Sequence, residues 1–413
     1  MENVLIVGAG PVGLMLACEL SLAGVRPIVL DKNPGIGDLP KANGLVGQIV
    51  ETLDHRGLLE RFSAGSPYAG PAPGFPFASV PLRFEGVPDI PLRVLVIQQP
   101  RLERLLTERA LELGADIRRG CEVLALAQDA EGVTLTTGQG ELRARYAVGC
   151  DGGHSRVREA AGIGFPGDTD EERLIIGHFK TGARPLEEIA PAGMEPGWNR
   201  TRHGRVLLTS LQQGVLVAGV RERGAPPRGP VTLEMFQTAL RRHLGRELPL
   251  GEPIWLSTTV AQARLAERYR AGRVFLAGED GDALRELLGE VFAFEEPVRH
   301  LAGLLYDSGV RYAPGAPDAR PPAGGFVPDL ELADGRRVAE LLRSGRPVLL
   351  DLGGGTDGLT GDDDWIEVVH AAGVRPPADA LLIRPDGYVA WAGADGLAEA
   401  AGRWFGAGTA SRA

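Results

Sequence analysis

A chain of 413 residues exceeds one ordinary folding core, so two or three domains are expected. Apolar residues at 44% and charged residues at 24% exclude a disordered or membrane-spanning chain, and the longest apolar runs, such as Val4 to Val7 and Val348 to Leu350, have the length of strands. A formal net charge of −10, with arginines dispersed along the chain, argues against a nucleic-acid partner, and an N-terminus without a basic start or cleavage site points to the cytoplasm.

The run Val4 to Val7 reads as a short strand, followed at once by Gly8-Ala9-Gly10-Pro11-Val12-Gly13 and an apolar helix that stops at Gly24. In such a unit Gly8 permits the tight turn, Gly10 lets the backbone approach a pyrophosphate, and Gly13 lets the helix pack closely on the strand. The helix N-terminus, opened by Pro11 and Val12, then faces the phosphate charge. A second strand from Pro27 to Leu30 ends in Asp31, followed by Lys32, and Asp31 lies 18 positions after Gly13, near the spacing at which a carboxylate meets a ribose hydroxyl. This is a dinucleotide signal that competes only with a plain strand-turn-helix connection, and it does not separate FAD from NAD.

Further along, Lys41-Ala42 and Gly44 form a loop segment, and Gln99 with Glu103 opens a helix from Pro100 to Leu113. A strand from Tyr146 to Cys150 leads into Asp151-Gly152-Gly153-His154-Ser155-Arg156-Val157-Arg158, which by itself also reads as a strand followed by a capped helix. From about 174 to 260 the pattern alternates as strands, for example Arg205 to Ser210 and Gly214 to Val220, with one helix near Thr232 to Leu244. Trp198, His203 and Trp255 are candidates to line a pocket there, against the plainer reading of core or surface residues. The strand Arg273 to Gly278 ends at Glu279 and runs straight into Asp280-Gly281-Asp282, while Pro322-Ala323-Gly324-Gly325 reads as linker. The last part offers a helix from Val338 to Ser344, a strand from Pro347 to Leu352, a hairpin over Leu381 to Trp391 turning at Asp386-Gly387, and a closing helix from Leu397 to Phe405. Cys18, Cys121 and Cys150 show no metal or disulfide spacing and read as buried small residues, so no metal is expected.

The Asp-Gly-x-x-Ser-x-Val-Arg run at Asp151, together with the first glycine loop, resembles the fingerprints of the class A flavoprotein aromatic hydroxylases of the p-hydroxybenzoate hydroxylase type. Lys41-Ala42-x-Gly44 is similar to that family's Arg-Ala-x-Gly segment near the flavin, Gln99-x-x-x-Glu103 to its Gln-x-x-x-Glu stretch, and Gly278-Glu279 to its third fingerprint, with Glu in place of Asp. The similarity is greatest to the actinobacterial aromatic polyketide FAD monooxygenases. The resemblance implies an α/β architecture: a Rossmann-like FAD-binding domain (1–173 and 261–312), a β-sheet substrate domain (174–260) that roofs the flavin, and a C-terminal thioredoxin-like domain (326–413). That last domain has no Cys-x-x-Cys, which leaves it packing, stability or dimer contacts, and a homodimer is among the expected assemblies.

The cofactor-binding residues implied by the resemblance are Gly8, Gly10, Pro11, Val12, Gly13, Asp31, Lys32, Lys41, Ala42, Gln99, Asp151, Gly152, Ser155, Gly278 and Glu279. No catalytic side chain is assigned, because the cofactor carries the reactivity. The resemblance implies that NADPH (or NADH) would reduce FAD, that dioxygen would add at flavin C4a, and that the hydroperoxide would pass one oxygen to an electron-rich polycyclic aromatic. Baeyer–Villiger oxygenation on the same scaffold stays open, whereas halogenation lacks its Trp-x-Trp-x-Ile-Pro run. One departure stands out: after Glu279 the family's Ala-Ala-His stretch and Pro-x-Gly-Gly-x-Gly-x-Asn loop are missing. Either the chain lacks this flavin clasp, in which case a non-redox binding protein is the alternative, or the sequence joins two stretches around a segment it does not include.

Overall fold

The computed structural model describes residues 2–38, 42–77, 80–84, 92–182, 184–212, 214–224, 229–278, 312, 322–353, 366–371, 377–393 and 396–405. The strand Glu2–Val7 has Leu5 and Ile6 fully buried, one on each face, which suits the centre of a sheet covered on both sides. It pairs in parallel with Ile28–Asp31 on one side and Gly140–Gly149 on the other. Asp116–Arg119 continues the sheet beyond the first neighbour and Val274–Leu276 beyond the second. The chain order of these parallel strands is therefore third, second, first, fourth, fifth, a doubly wound sheet whose order reverses between Glu2–Val7 and Gly140–Gly149.

The helix Pro11–Leu22 buries Leu14, Ala17 and Cys18, which pack against Leu102, Leu106 and Ala110 of the helix Gln99–Glu112. Small residues on the first helix let the two approach. Cys18 and Cys121 are buried and Cys150 half-buried, and burial pushes the Cys18 and Cys150 thiols up to about 12, so neither supplies a thiolate near neutrality.

A separate five-stranded antiparallel sheet follows, in the order Gly197–Thr201, Gly204–Gln212, Val215–Arg223, Gly167–Lys180, Glu252–Arg264. The helix Leu233–Leu244 starts where the Thr232 hydroxyl accepts the Met235 N–H at 3.2 Å and ends at Gly245 in the left-handed region. Its buried Phe236, Ala239 and Leu240 pack on Ile175, Phe179, Val206, Leu208, Leu216, Ala218 and Val220. Strand alternation then turns Ile176, His178 and Val217 to the other face.

The C-terminal sheet has the order Glu367–His370, Val348–Asp351, Ala380–Ile383, Val389–Ala392; the first pair is parallel and the others antiparallel. The expected hairpin turns at Asp386-Gly387, with Gly387 N–H donating to Arg384 O at 3.0 Å. Pro322–Gly325 is not a free linker. Gly324 N–H donates to Val389 O and Val389 N–H to Gly325 O, both at 2.8 Å, because the outer edge of Val389–Ala392 has backbone groups to satisfy and the extended segment meets them.

This sheet docks on the helix Gln48–His55 through a buried polar joint. Arg56 reaches Glu19 with two bonds of 2.7 and 2.6 Å, Leu342 O at 3.0 Å and Pro385 O at 2.6 Å, while Arg337 bridges Asp54 and Asp329. His55 stacks on Phe326 with ring centroids 5.2 Å apart. Burial, reinforced by the neighbouring Arg56, lowers the His55 pKa to about 4. Above its ordinary value of 6.5 the ring is neutral in both folded and unfolded chains, and its titration affects nothing. As pH falls from 6.5 toward 4 the unfolded chain takes up a proton that the folded one refuses, so stability falls by about 2 to 3 kcal/mol across that window. His55→Phe keeps the stack and removes this loss; chemical denaturation of both proteins at pH 7 and pH 4.5 checks it, and equal acid sensitivity would refute the assignment.

Candidate functional site

The carboxyl ends of the parallel strands bring together four segments distant in sequence: the Gly8–Gly13 loop, Asp31, Cys150–Gly153 and Gly278. Gly8 sits at φ +108°, and a Cβ there would lie 2.3 Å from Cys150 O. Gly13 is equally obligatory, since its Cβ would lie 2.0 Å from Gly8 O. Backbone bonds close the arrangement: Gly8 N–H to Leu30 O and Cys150 N–H to Val7 O, both 2.7 Å. Gly278 lies two residues past the strand Val274–Leu276, and a Cβ on it would meet Val12 Cγ2 at 3.0 Å, so this strand end lies against the first turn of the helix Pro11–Leu22.

Gly10 is different in kind. Its conformation, φ −77° and ψ −179°, is open to any residue, and a Cβ there would meet nothing within 4 Å. Gly152 and Gly153 likewise face open space. As N-cap, Gly10 has no side chain to satisfy the first-turn N–H groups, and no acidic residue stands in that turn. A helix start with free donors, a positive dipole end and unobstructed backbone suits a pyrophosphate.

The acidic residues expected to meet the cofactor are first of all organisers of these loops. Asp31 Oδ2 accepts Ala9 N–H and Oδ1 accepts Asn33 N–H, each at 2.7 Å, which ties the glycine loop to the end of the second strand. Each oxygen keeps a lone pair for a hydroxyl. Asp151 Oδ1 accepts the Ser155 hydroxyl at 2.5 Å while Oδ2 accepts Arg156 N–H at 2.7 Å and Val157 N–H at 3.2 Å. Ser155 in turn accepts Arg158 N–H at 3.0 Å as N-cap of the helix Arg156–Ala160. The buried Arg158 donates to Gly153 O at 2.9 Å and lies 4.2 Å over the Phe165 ring, so the last residue of the motif also holds its glycines in place.

Lys32 and Ala42 are exposed. Ala42 O accepts Gln99 N–H at 2.9 Å, which places the Ala42-Asn43-Gly44 segment beside the start of the helix Gln99–Glu112; the Gln99 side chain donates to Glu103 at 2.8 Å. Lys41 and Glu279 lie outside the described residues. His203 is exposed in the turn between Gly197–Thr201 and Gly204–Gln212. Trp198 sits opposite Leu207, and Trp255 opposite His178, a residue the sequence reading did not single out. Its signal was present only as a polar residue inside the apolar run Leu174 to Phe179.

A doubly wound sheet whose switch point carries a bare glycine backbone, a helix start and an acid-tied loop defines a dinucleotide-binding protein. Comparison with known proteins sharpens this. Residues 1–286 match the FAD-binding domain family and residues 320–408 the C-terminal domain of aromatic-ring hydroxylases. The chain is 36% identical, over 98% of its length and 99% of the relative's, to the 12-dehydrotetracycline 5-monooxygenase/anhydrotetracycline 6-monooxygenase of Streptomyces rimosus. Among solved structures, the OxyS anhydrotetracycline hydroxylase of Streptomyces rimosus is 34% identical with a TM-score of 0.83. CabE, an aromatic hydroxylase from angucycline biosynthesis, is 30% identical with a TM-score of 0.84; both superpose on 98% of this chain and 99% of theirs. This chain belongs to the family of FAD-dependent aromatic-ring monooxygenases. The alignment to the first of these relatives runs over 507 residues, more than the 413 available here, so the relative has internal positions without a counterpart in this chain. Among the described residues no helix is long and apolar enough to cross a membrane, and no cluster suits a metal ion.

Proposed function

We propose that this chain hydroxylates an electron-rich polycyclic aromatic of the polyketide type, using NADPH or NADH and dioxygen, with FAD held along the carboxyl ends of the parallel sheet. The observation that carries the placement is Gly10: its backbone alone in the loop faces open space, at the start of a helix with unsatisfied donors, while Gly8 and Gly13 are packed too tightly to accept a side chain. The pyrophosphate lies against Gly10, Pro11, Val12 and Gly13. Asp31, with Lys32 beside it, takes the adenosine ribose, and Asp151, Gly152 and Ser155 hold the loop that borders the dinucleotide. Lys41, Ala42 and Gln99 border the flavin end, and Gly278-Glu279 the ribityl chain. The substrate class rests on the names of the relatives in tetracycline and angucycline chemistry.

When bound, the flavin supplies the redox chemistry, in which one atom of dioxygen enters the aromatic ring and the other leaves as water at the expense of the nicotinamide. The protein binds and orients the aromatic and keeps water out. We also infer that the C-terminal unit is thioredoxin-like, supported by its parallel pair followed by an antiparallel hairpin and the helix Leu397–Phe405. A second reading, a protein that binds without redox turnover, is favoured by one observation: the missing glycine loop after Glu279, together with the relative's surplus internal positions.

The test is a FAD titration of purified protein whose mass has been confirmed as 43.8 kDa, followed by NADPH oxidation with and without hydroxylated polycyclic aromatics. Stimulated oxidation with product one oxygen heavier supports the hydroxylase. Failure to hold flavin at the confirmed mass supports the non-redox reading.

A further inference from the structure

On the face of the antiparallel sheet turned away from the helix Leu233–Leu244, His178 and Trp255 stand directly opposite each other on neighbouring strands. Their rings are 4.8 Å apart between centroids and tilted by 46°. His178 is 2% exposed, and both His178 Nε2 and Trp255 Nε1 are buried without a hydrogen-bond partner. Ile176, two residues along the strand, and Val217, directly opposite His178 on the next strand, are its apolar neighbours on this face. A buried polar group without a partner is destabilising, and native proteins satisfy nearly all of them. What sets these two nitrogens apart is that they belong to contacting rings, so one ligand can satisfy both together.

The two groups specify what that ligand offers. The indole Nε1–H is a donor only, so it needs an acceptor oxygen. Burial lowers the His178 pKa, which keeps the imidazole neutral, and a neutral imidazole accepts at one nitrogen. We propose that His178 and Trp255 are a substrate-recognition pair that reads a hydroxyl beside a carbonyl on the edge of the aromatic substrate, Trp255 Nε1–H donating to the carbonyl oxygen and His178 Nε2 accepting the hydroxyl. This rests on the aromatic substrate class proposed above and adds the oxygen pattern that class must carry. Both are positioning residues and take no part in the redox step.

The experiment uses flavin-loaded protein and two probes, 1-hydroxyanthraquinone and 1-methoxyanthraquinone, with binding read from the perturbation of flavin absorbance. Wild-type protein is expected to prefer the hydroxyl probe by about tenfold, the value of one hydrogen bond. His178→Leu erases that preference, and Trp255→Phe weakens both probes by about tenfold with flavin content unchanged. A purely structural role would lower the unfolding midpoint of the substrate-free protein, whereas loss of an unpaired buried nitrogen leaves the His178→Leu midpoint equal or higher. Variants that bind both probes as wild type does, or a His178→Leu protein with a lowered midpoint and an intact preference, overturn the pair and leave the proposed substrate class standing. Wild-type protein that holds flavin and binds neither probe overturns both.

Discussion

Replacing Gly10 with alanine is expected to leave the flavin-free protein within about 1 kcal/mol of wild type, because the entropy gained and the N-cap preference lost oppose each other, while weakening FAD binding by roughly two orders of magnitude. The backbone at Gly10 is already in the extended region, so alanine adopts it without strain and loses less entropy on folding than glycine does. The added methyl meets no protein atom within 4 Å, so its steric effect falls on the bound group. Gly8→Ala should behave in the opposite way. There the methyl would lie 2.3 Å from Cys150 O at φ +108°, and relief requires the first and fourth strands to move apart. That variant is expected to lose about 3 kcal/mol or more of stability, and flavin binding with it. Thermal unfolding of the flavin-free proteins and FAD titration separate the two. A Gly10→Ala protein that binds FAD as wild type does would falsify the placement of the pyrophosphate.

The second large effect is expected at Arg56. Its guanidinium is nearly fully buried and satisfies the Glu19 carboxylate together with the carbonyls of Leu342 and Pro385, joining the FAD-binding sheet to the C-terminal unit. Arg56→Met keeps much of the packing of the stem but leaves a carboxylate and two carbonyls without their donor. Glu19 is one-third exposed, so water takes over part of its charge, and the loss of the ion pair together with the donor to two carbonyls costs about 2 to 3 kcal/mol, enough to loosen the C-terminal sheet from the helix Gln48–His55. The expected result is an early unfolding transition absent from wild type, together with rapid proteolytic release of the C-terminal unit. Arg56→Lys should recover only part of the loss, since an ammonium cannot reproduce the planar fork that meets Glu19 with two bonds. A single wild-type transition in Arg56→Met would show that the joint is held by apolar contacts instead.

The parts of this protein that were legible in its sequence are those in which a residue type answers a local backbone demand. Gly8 and Gly13 are required because a side chain would strike a neighbouring carbonyl, and Asp386-Gly387 because a tight turn needs a left-handed residue. The run from Asp151 to Arg158 closes a hydrogen-bonded loop on itself within eight residues. In each case the residue and its cause lie close together along the chain, or the cause is the backbone itself. For Asp31 and Asp151, spacing marks a carboxylate at the end of a strand but not which backbone donors it holds.

Tertiary structure alone decided the rest. His178 and Trp255 are 77 positions apart and meet only because the register of two antiparallel strands sets them opposite. Arg56 gives no signal in sequence, since its carbonyl partners lie more than 280 residues away and any residue supplies a carbonyl. Pro322 to Gly325 has the composition of a linker, yet an open sheet edge recruits it, for backbone pairing is blind to side-chain identity. Residue chemistry thus determined the glycine loops and the helix starts, whose constraints act over one turn of chain. Which distant groups are buried together was set by strand order and register, which depend on the packing of whole faces and not on any single residue.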